Sequence, residues 1–433
     1  MSDAVLAAAT FAKKAPRPQN ETAPEVRERV SKLLSELETE RETAAERMAA
    51  EFDDWTGPVV VSDDTIAGAT AQLDPGVRAD IDYAHRHIRA FADAQVASLQ
   101  EFEVEIEPGL VAGQRNVPVD VAGCYVPAGR FAHIASALMS VTTAKAAGVP
   151  RIIVTSPARP DRGGVHPAIL HAASVAGADV VLGLGGVQGV GALAYGLFTG
   201  TEASMIVGPG NSFVAEAKRQ LFGRVGIDVI AGPTESMIAA DHGADPVLVA
   251  TDLIGQAEHG PDSPVWLVTT SASLATAVLD IVEQTAQALP DPARASALTA
   301  WRNHGEVIVV DSREEAAAVC DSYAPEHLQV MASDLDWWLG RLQNYGSLFL
   351  GKETNVTFGD KSSGPNHILP TGKAARYSGG LNAIKFIKQL TWQTMTPAAS
   401  AAEAPVAARI SRLEGMEGHA RSADARAPTT RDA

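Results

Sequence analysis

The chain has 433 residues, enough for two or three domains with a sizeable core, and 46% apolar content with only 5% aromatics suits an Ala-, Gly- and Val-rich α/β enzyme better than an all-β binding module. A formal net charge of −17 argues against non-specific nucleic-acid binding, which needs a basic surface. Two cysteines, Cys124 and Cys320, cannot build a disulfide framework, lie in no CxxC pair, and read as small buried apolar residues in a reducing compartment.

The opening MSDAVLAAATFAKKAPRPQN has an apolar run too short and too early for a secretory signal. No window approaches the ~18 uninterrupted apolar residues of a membrane span, so a cytoplasmic protein without membrane contact is expected. From Pro24 to Trp55 helical spacing and dense charge predict one or two partly exposed helices, available to lie on another subunit. DPGVRADIDYAHRHIRAFADAQ is a second helical stretch. From about Gly123 the pattern changes. RIIVTS (151–156), DVVLGL (179–184) and ASMIV (203–207) are short β-branched runs separated by Ala-rich helical segments, which predicts a doubly wound parallel sheet. VWLVTT, EVIVVD and SLFLG then repeat the pattern. From Leu381 the chain reads as helical again, and ARSADARAPTTRDA as a disordered tail. The expected architecture is two incomplete Rossmann-like parallel-sheet units, 111–234 and 235–375. An N-terminal helical segment, 1–110, precedes them and a C-terminal helical dimerisation arm, 376–433, follows.

In DPVLVATDLIGQAEHGPDS, Asp245 caps a helix, Pro246 takes its first position and Gly260-Pro261 ends it. Gln256 and His259 are three apart and share a face at its C-terminus, as an O/N donor pair for zinc or as a solvated helix end. YAPEHL sets Glu326 beside His327, a natural acid–base pair near neutral pH if the backbone turns there; a capped helix start is the other reading. GPGN, 208–211, follows a strand and opens a helix, a place where backbone N–H groups can meet a pyrophosphate. The nearby GLGGVQGVGALAYG narrowly misses a dinucleotide fingerprint, with Gln188 where the last glycine belongs. A tight turn without ligand is the alternative for both loops. LEGMEGH, with Glu414 and His419, says nothing by itself. In TFGDKSSGPNH, Asp360 and His367 are candidate metal or catalytic groups, yet Lys361 puts a fixed positive charge beside the carboxylate.

Together these segments resemble the histidinol dehydrogenase family. GCYVPAGR, GGVQGVGALAYG, IVGPGNSFVAEAKRQLFG, GIDVIAGPTE, DLIGQAEHGPDS, YAPEHL, SGPNHILPT and LEGMEGH occur in the family's order, from about Gly123 to His419. The resemblance implies a zinc ion held by Gln256, His259 and Asp360, with His419 from the partner subunit of a homodimer. It implies Glu326 and His327 as the catalytic acid–base pair, and Tyr125, Gln188 and Asn211 as NAD contacts. Thr234, His367 and Glu414 match substrate-binding positions. The implied reaction takes a primary alcohol through an aldehyde to a carboxylate with two NAD and a water.

Two places depart from the family's usual text: RFAHIAS, 130–136, and DKSS, 360–363. Histidinol is a cation, and Lys361 with His133 or Arg130 would repel it in a partly dry site, by Coulomb's law. An anion would be attracted. The segment from Thr354 to Lys388 resembles the sulfopropanediol dehydrogenase branch, which oxidises (R)-2,3-dihydroxypropane-1-sulfonate to (R)-3-sulfolactate in organosulfonate degradation. On this reading Lys361, His133 and Asn355 or Thr357 bind the sulfonate. Histidinol oxidation, and a non-catalytic zinc- or nucleotide-binding relative, are the competing expectations. A phosphate or carboxylate analogue, and manganese or cobalt in place of zinc, remain open on sequence.

Overall fold

The computed structural model describes residues 9–15, 24–129, 131–230 and 232–427. Expectations for the first eight residues, for Arg130 and for the 428–433 end of the tail lie outside the described residues. In chain order the strands are β1 (Thr10–Lys13), β2 (Phe102–Glu107), β3 (Leu110–Pro118), β4 (Val121–Tyr125), β5 (Arg151–Thr155), β6 (Val180–Leu182) and β7 (Met205–Val207). They continue as β8 (Gly226–Ile227), β9 (Ser236–Ala240), β10 (Val265–Thr269), β11 (Glu306–Val309), β12 (His327–Met331), β13 (Ser347–Leu350) and β14 (Ile387–Met395). The chain divides into one unit of Met1–Gln95 with Val119–Phe386 and another of Val96–Pro118 with Ile387–Ala433.

The first unit holds two parallel sheets. One has the order β6-β5-β4-β7-β8, and helices Ile134–Ala146, Pro167–Ala176, Gly186–Tyr195 and Ser212–Leu221 follow its first four strands in sequence. The other has the order β1-β11-β10-β9-β12-β13, five parallel strands with β1 antiparallel at the edge. Each parallel set runs 3-2-1-4-5 in chain order, so each reverses direction once, between β4 and β7 or between β9 and β12. Period-two alternation explains why the second sheet is covered on both faces. Met237 and Ala239 of β9 pack with Val319, Cys320 and Trp338, whereas Ile238 and Ala240 pack with Val249, Leu253 and Val278. Both cysteines are buried free thiols, as expected.

The N-terminal helices are Pro24–Glu40 and Glu42–Asp53. They do not wait for another subunit: Val30, Leu34, Leu37 and Met48 enter the core of the first sheet beside Val190, Leu193 and Val214 of the same chain. Their spacing of three and four makes one apolar stripe that this core completes.

The second unit corrects the all-helical expectation for both chain ends. β14-β3-β2 form an antiparallel sheet, with β14 and β3 paired from Ile387↔Pro118 to Met395↔Leu110. β2 is exposed at every residue and β14 at most, so neither carries the buried apolar run that marks a strand in sequence. Helices Pro397–Leu413 and Glu417–Asp424 complete the unit, and the second takes in the first residues of the expected tail. Among the described residues no helix is long and apolar enough to cross a membrane.

Candidate active site

Helix Arg313–Tyr323 ends on Ala324, whose φ is +48°, and Pro325 precedes β12. YAPEHL therefore leaves a helix rather than starting one. Glu326 and His327 are neighbours in extended chain yet reach the same place, because both are held by the main chain of Glu235. The Glu235 N–H donates to Glu326 Oε2 at 3.0 Å, and His327 Nδ1–H donates to the Glu235 carbonyl at 3.2 Å. That bond assigns the tautomer and leaves Nε2 as the basic nitrogen. On the other side Ser347 N–H donates to the Glu326 carbonyl at 2.9 Å, and a Cβ on Gly346 would stand 2.5 Å from that oxygen. Only glycine allows so close an approach.

Burial pushes the Glu326 carboxyl up to about 8, against the pull of His327. Burial draws His327 down, but the Glu326 and Asp360 carboxylates outweigh it and raise the imidazole to about 9. Its Nε2 is buried without a hydrogen bond and lies 3.3 Å from Asp360 Oδ1, a close ionic contact without hydrogen-bond alignment. Glu235 itself escaped the sequence reading, although GPTE was in view. Its Oε1 accepts Gly372 N–H at 2.9 Å, and burial pushes its carboxyl up to about 7.

Helix Pro246–Ala257 begins as expected, with Asp245 Oδ1 accepting Val247 N–H at 2.8 Å. It stops before Gly260, so Gln256 is in its last turn and His259 in the turn beyond. His259 N–H donates to the Gln256 carbonyl at 3.2 Å, which keeps the two adjacent. His259 Nε2 lies 3.9 Å from Asp360 Oδ2, and Gln256 Oε1 is buried with no hydrogen-bond partner. A buried orphan acceptor asks for a ligand. Burial first, then Lys361 and two histidines, hold His259 down at about 4 despite Asp360, so its ring is neutral and can donate a lone pair. Burial opposes ionisation of Asp360, but His327, His367 and Lys361 hold the carboxyl well below its usual range. Gln256, His259 and Asp360 thus fit a divalent cation that accepts N and O donors. Among the described residues no three His, Cys, Asp or Glu side chains gather to hold one by themselves, so this set depends on the glutamine amide.

His367 is half-buried and neutral in its bonding: Nδ1–H donates to the Asp360 carbonyl at 2.7 Å and Nε2 accepts from Ser136 Oγ at 3.0 Å. Ser136 was not expected, and it joins the helix after β4 to this cluster. Lys361 ends helix Val356–Lys361, is exposed, and makes no ion pair among the described residues. Its charge contributes to lowering His133, His259 and His367. His133 was expected as a cation. Burial, with His367 and Lys361, draws it down to about 4, so it can donate or accept hydrogen bonds but carries no charge at neutral pH. Asn355 is engaged elsewhere: Oδ1 caps its helix by accepting Phe358 N–H at 3.1 Å, and Nδ2 donates to Asp252 Oδ1 at 3.3 Å. Thr357 is exposed on the same helix, and Thr234 is half-buried next to Glu235. Glu414 and His419 lie in the second unit, both exposed, one capping helix Pro397–Leu413 and the other within Glu417–Asp424.

Tyr125, Gln188 and Asn211 stand at or after the carboxyl ends of β4, β6 and β7, around the reversal of the first sheet. Tyr125 Oη accepts Gly186 N–H at 3.1 Å, and Gln188 Nε2 donates to Asp53 Oδ2 at 2.9 Å. Asn211 Oδ1 accepts from Phe213 and Val214 N–H, each at 3.1 Å. Those two N–H groups are capped, so this turn does not offer them to an anion as expected. Gly208 has φ +118°, and a Cβ there would lie 2.0 Å from the Tyr125 carbonyl. Glycine turns gathered at a reversal fit a dinucleotide, which doubly wound sheets take at this point.

An acid–base pair beside an N/O donor set, on a chain whose other parallel sheet gathers glycine turns at its reversal, has parts that suit a dehydrogenase. The model of the family described as histidinol dehydrogenase matches residues 15–427. The chain is 58% identical over 411 residues to a histidinol dehydrogenase homolog of Ruegeria pomeroyi, covering 95% of this chain and 94% of the relative. It is 52% identical over 416 residues to sulfopropanediol 3-dehydrogenase of the same organism, covering 96% and 95%. The crystal structure of histidinol dehydrogenase from Elizabethkingia anophelis aligns with a TM-score of 0.88 at 31% identity, over 95% of this chain and 94% of that one. The chain belongs to the histidinol dehydrogenase family, a family of NAD-dependent dehydrogenases.

Proposed function

We propose that the protein oxidises the primary alcohol of (R)-2,3-dihydroxypropane-1-sulfonate to (R)-3-sulfolactate, through the aldehyde, with two NAD. The observation that carries this reading is Lys361, an ammonium that makes no ion pair among the described residues, one residue from Asp360 and near His133 and His259, which burial keeps neutral. A sulfonate is ionised at every working pH and pairs with such a charge, whereas a cationic amine substrate is repelled. The 52% identity to a sulfopropanediol 3-dehydrogenase supports it.

Gln256, His259 and Asp360 would hold zinc, with His419 of the partner subunit in a homodimer as the fourth donor. Zinc held there would supply a Lewis-acidic point to orient the substrate's oxygens, and NAD, which Tyr125, Gln188 and Asn211 would contact, would supply the hydride acceptor. His327, its Nδ1–H held by the Glu235 carbonyl, would take the hydroxyl proton on Nε2 as the first hydride leaves, with the pull of Asp360 on it offset when that carboxylate ligates a cation. Glu326, ionised as the pH rises past about 8, then takes a proton from the water that adds to the aldehyde carbon. The resulting gem-diolate, RCH(OH)O⁻, loses a hydride to the second NAD and a proton to give the carboxylate. Thr234 and His367 would contact the substrate, with Glu414 of the partner subunit supplied by its arm and neutral His133 hydrogen-bonding the sulfonate.

Histidinol oxidation is the second reading, supported by the 0.88 TM-score to a histidinol dehydrogenase. NADH formation is measured with (R)-2,3-dihydroxypropane-1-sulfonate and, separately, with L-histidinol. Two NADH per sulfonate, with histidinol inert, is the expected result. Turnover of histidinol alone would keep the mechanism and remove the anion pocket, and turnover of neither would favour a non-catalytic relative.

A further inference from the structure

Lys218 and Asp228 form an ion pair with side chains only 3% and 0% exposed, on helix Ser212–Leu221 and just beyond β8. The catalytic cluster does not use it. A buried ion pair is a poor way to gain stability, because desolvation offsets the attraction and apolar side chains of similar volume often serve as well. Its other bonds show where it acts. Besides bonding Asp228 Oδ1, Lys218 Nζ donates to the Gly208 carbonyl at 2.9 Å. Asp228 Oδ2 accepts the Gly208 N–H at 2.8 Å. Both main-chain groups of one residue are thus held by opposite charges, and that residue is the glycine at φ +118° that opens the GPGN turn.

We infer that Lys218 and Asp228 are positioning residues that clamp Gly208 and so hold the GPGN turn in the shape that receives the dinucleotide. This rests on the proposed seat of NAD at the reversal of the first sheet. Gly208 leaves β7 at a point where the backbone has no further sheet partner, and its conformation is one that even glycine adopts only as one choice among several. Charge-assisted bonds to both its N–H and its C=O select that conformation in advance, which lowers the ordering cost of binding.

The test is NADH binding followed by fluorescence, with bound zinc measured on the same samples. Asp228→Asn strands a buried cation and can unfold the protein, so the deciding variant is Lys218→Met with Asp228→Leu, which fills the space without charge. Wild type should bind NADH. The double variant should bind zinc as wild type does, with NADH affinity reduced about tenfold or more. It should keep its KM for the alcohol substrate at saturating NAD. Unchanged NADH affinity in the double variant would overturn the clamp, leaving the pair as core filling. Joint loss of zinc and NADH would overturn it too, since the pair would then serve the fold at large. Absence of NADH binding by wild type would instead bring down the NAD reading itself, and the clamp with it.

Discussion

At the scale of single residues, the site is organised by a main chain rather than by a side chain. Glu326 and His327 point at one place because the N–H and C=O of Glu235 each take one of them. Glu326→Gln should lower NADH formation from the aldehyde by about 10²–10⁴, the range for a lost general base, with zinc content unchanged. An aldehyde step at wild-type rate would remove Glu326 from water activation. Glu235 gives a stability prediction. Its folded pKa of about 7 lies above the ordinary 4.5, so between those pH values the folded protein holds a proton that the unfolded chain releases. Stability is then greatest below that window and falls as pH rises through it, by up to about 3 kcal/mol. In metal-free protein, Glu235→Gln should flatten the decline of Tm between about pH 5 and about pH 8; parallel profiles for the two proteins would refute the assignment. Lys361→Ala should raise KM for the sulfonate about tenfold with little change in Tm, since Lys361 is exposed and makes no ion pair among the described residues. A KM that stays put would take Lys361 out of the pocket.

At the scale of elements, the two sheets share one strand order but use opposite ends. The first presents its carboxyl ends, where Tyr125 and the GPGN turn lie. The second presents its amino ends: Glu235 precedes β9, and Glu326 and His327 lie just before and at the start of β12. Helix Pro246–Ala257 connects β9 to β10, parallel strands that run alike, so its C-terminus returns to those amino ends with Gln256 and His259. Asp360 comes from the short helix Val356–Lys361, which Asn355 caps and also fastens to Asp252, one turn before Gln256. Asn355→Ala should therefore cost about 1 kcal/mol as a lost cap and weaken zinc binding roughly tenfold. Substrate KM at saturating zinc should not change. The opposite pattern, intact zinc affinity with a raised KM, would restore Asn355 as a substrate contact.

At the scale of the whole molecule, the donor set of one cluster depends on an amide, and His419 sits exposed on a helix of the second unit. If the arm of each subunit serves the other's site, mixed dimers give a decisive result. Glu326→Gln and His419→Ala homodimers should each be nearly inactive. Subunits exchanged between them should place both defects in one site and leave the other intact, restoring about a quarter of wild-type activity in an equal mixture. No recovery after exchange would mean that His419 acts within its own subunit or not at all.

Composition, strand–helix alternation and eight ordered segments were enough to read the α/β class, the paired parallel sheets and the family, because those depend on local periodicity and on turns that demand particular residues. The Asp245 cap and the burial of both cysteines were legible for the same reason. Other features were decided only in three dimensions. β2 and β14 are exposed and lack an apolar run, so hydrogen bonding to β3 alone makes them strands. His133 is a cation by residue type and neutral by burial. Asn355 has the right chemistry for an anion, but its two polar ends are already engaged. Glu235 is a glutamate like any other until β12 folds against β9 and brings the catalytic pair to its main chain. The sequence names donors and acceptors; which of them stay free, charged or aimed at one point depends on neighbours far away in the chain.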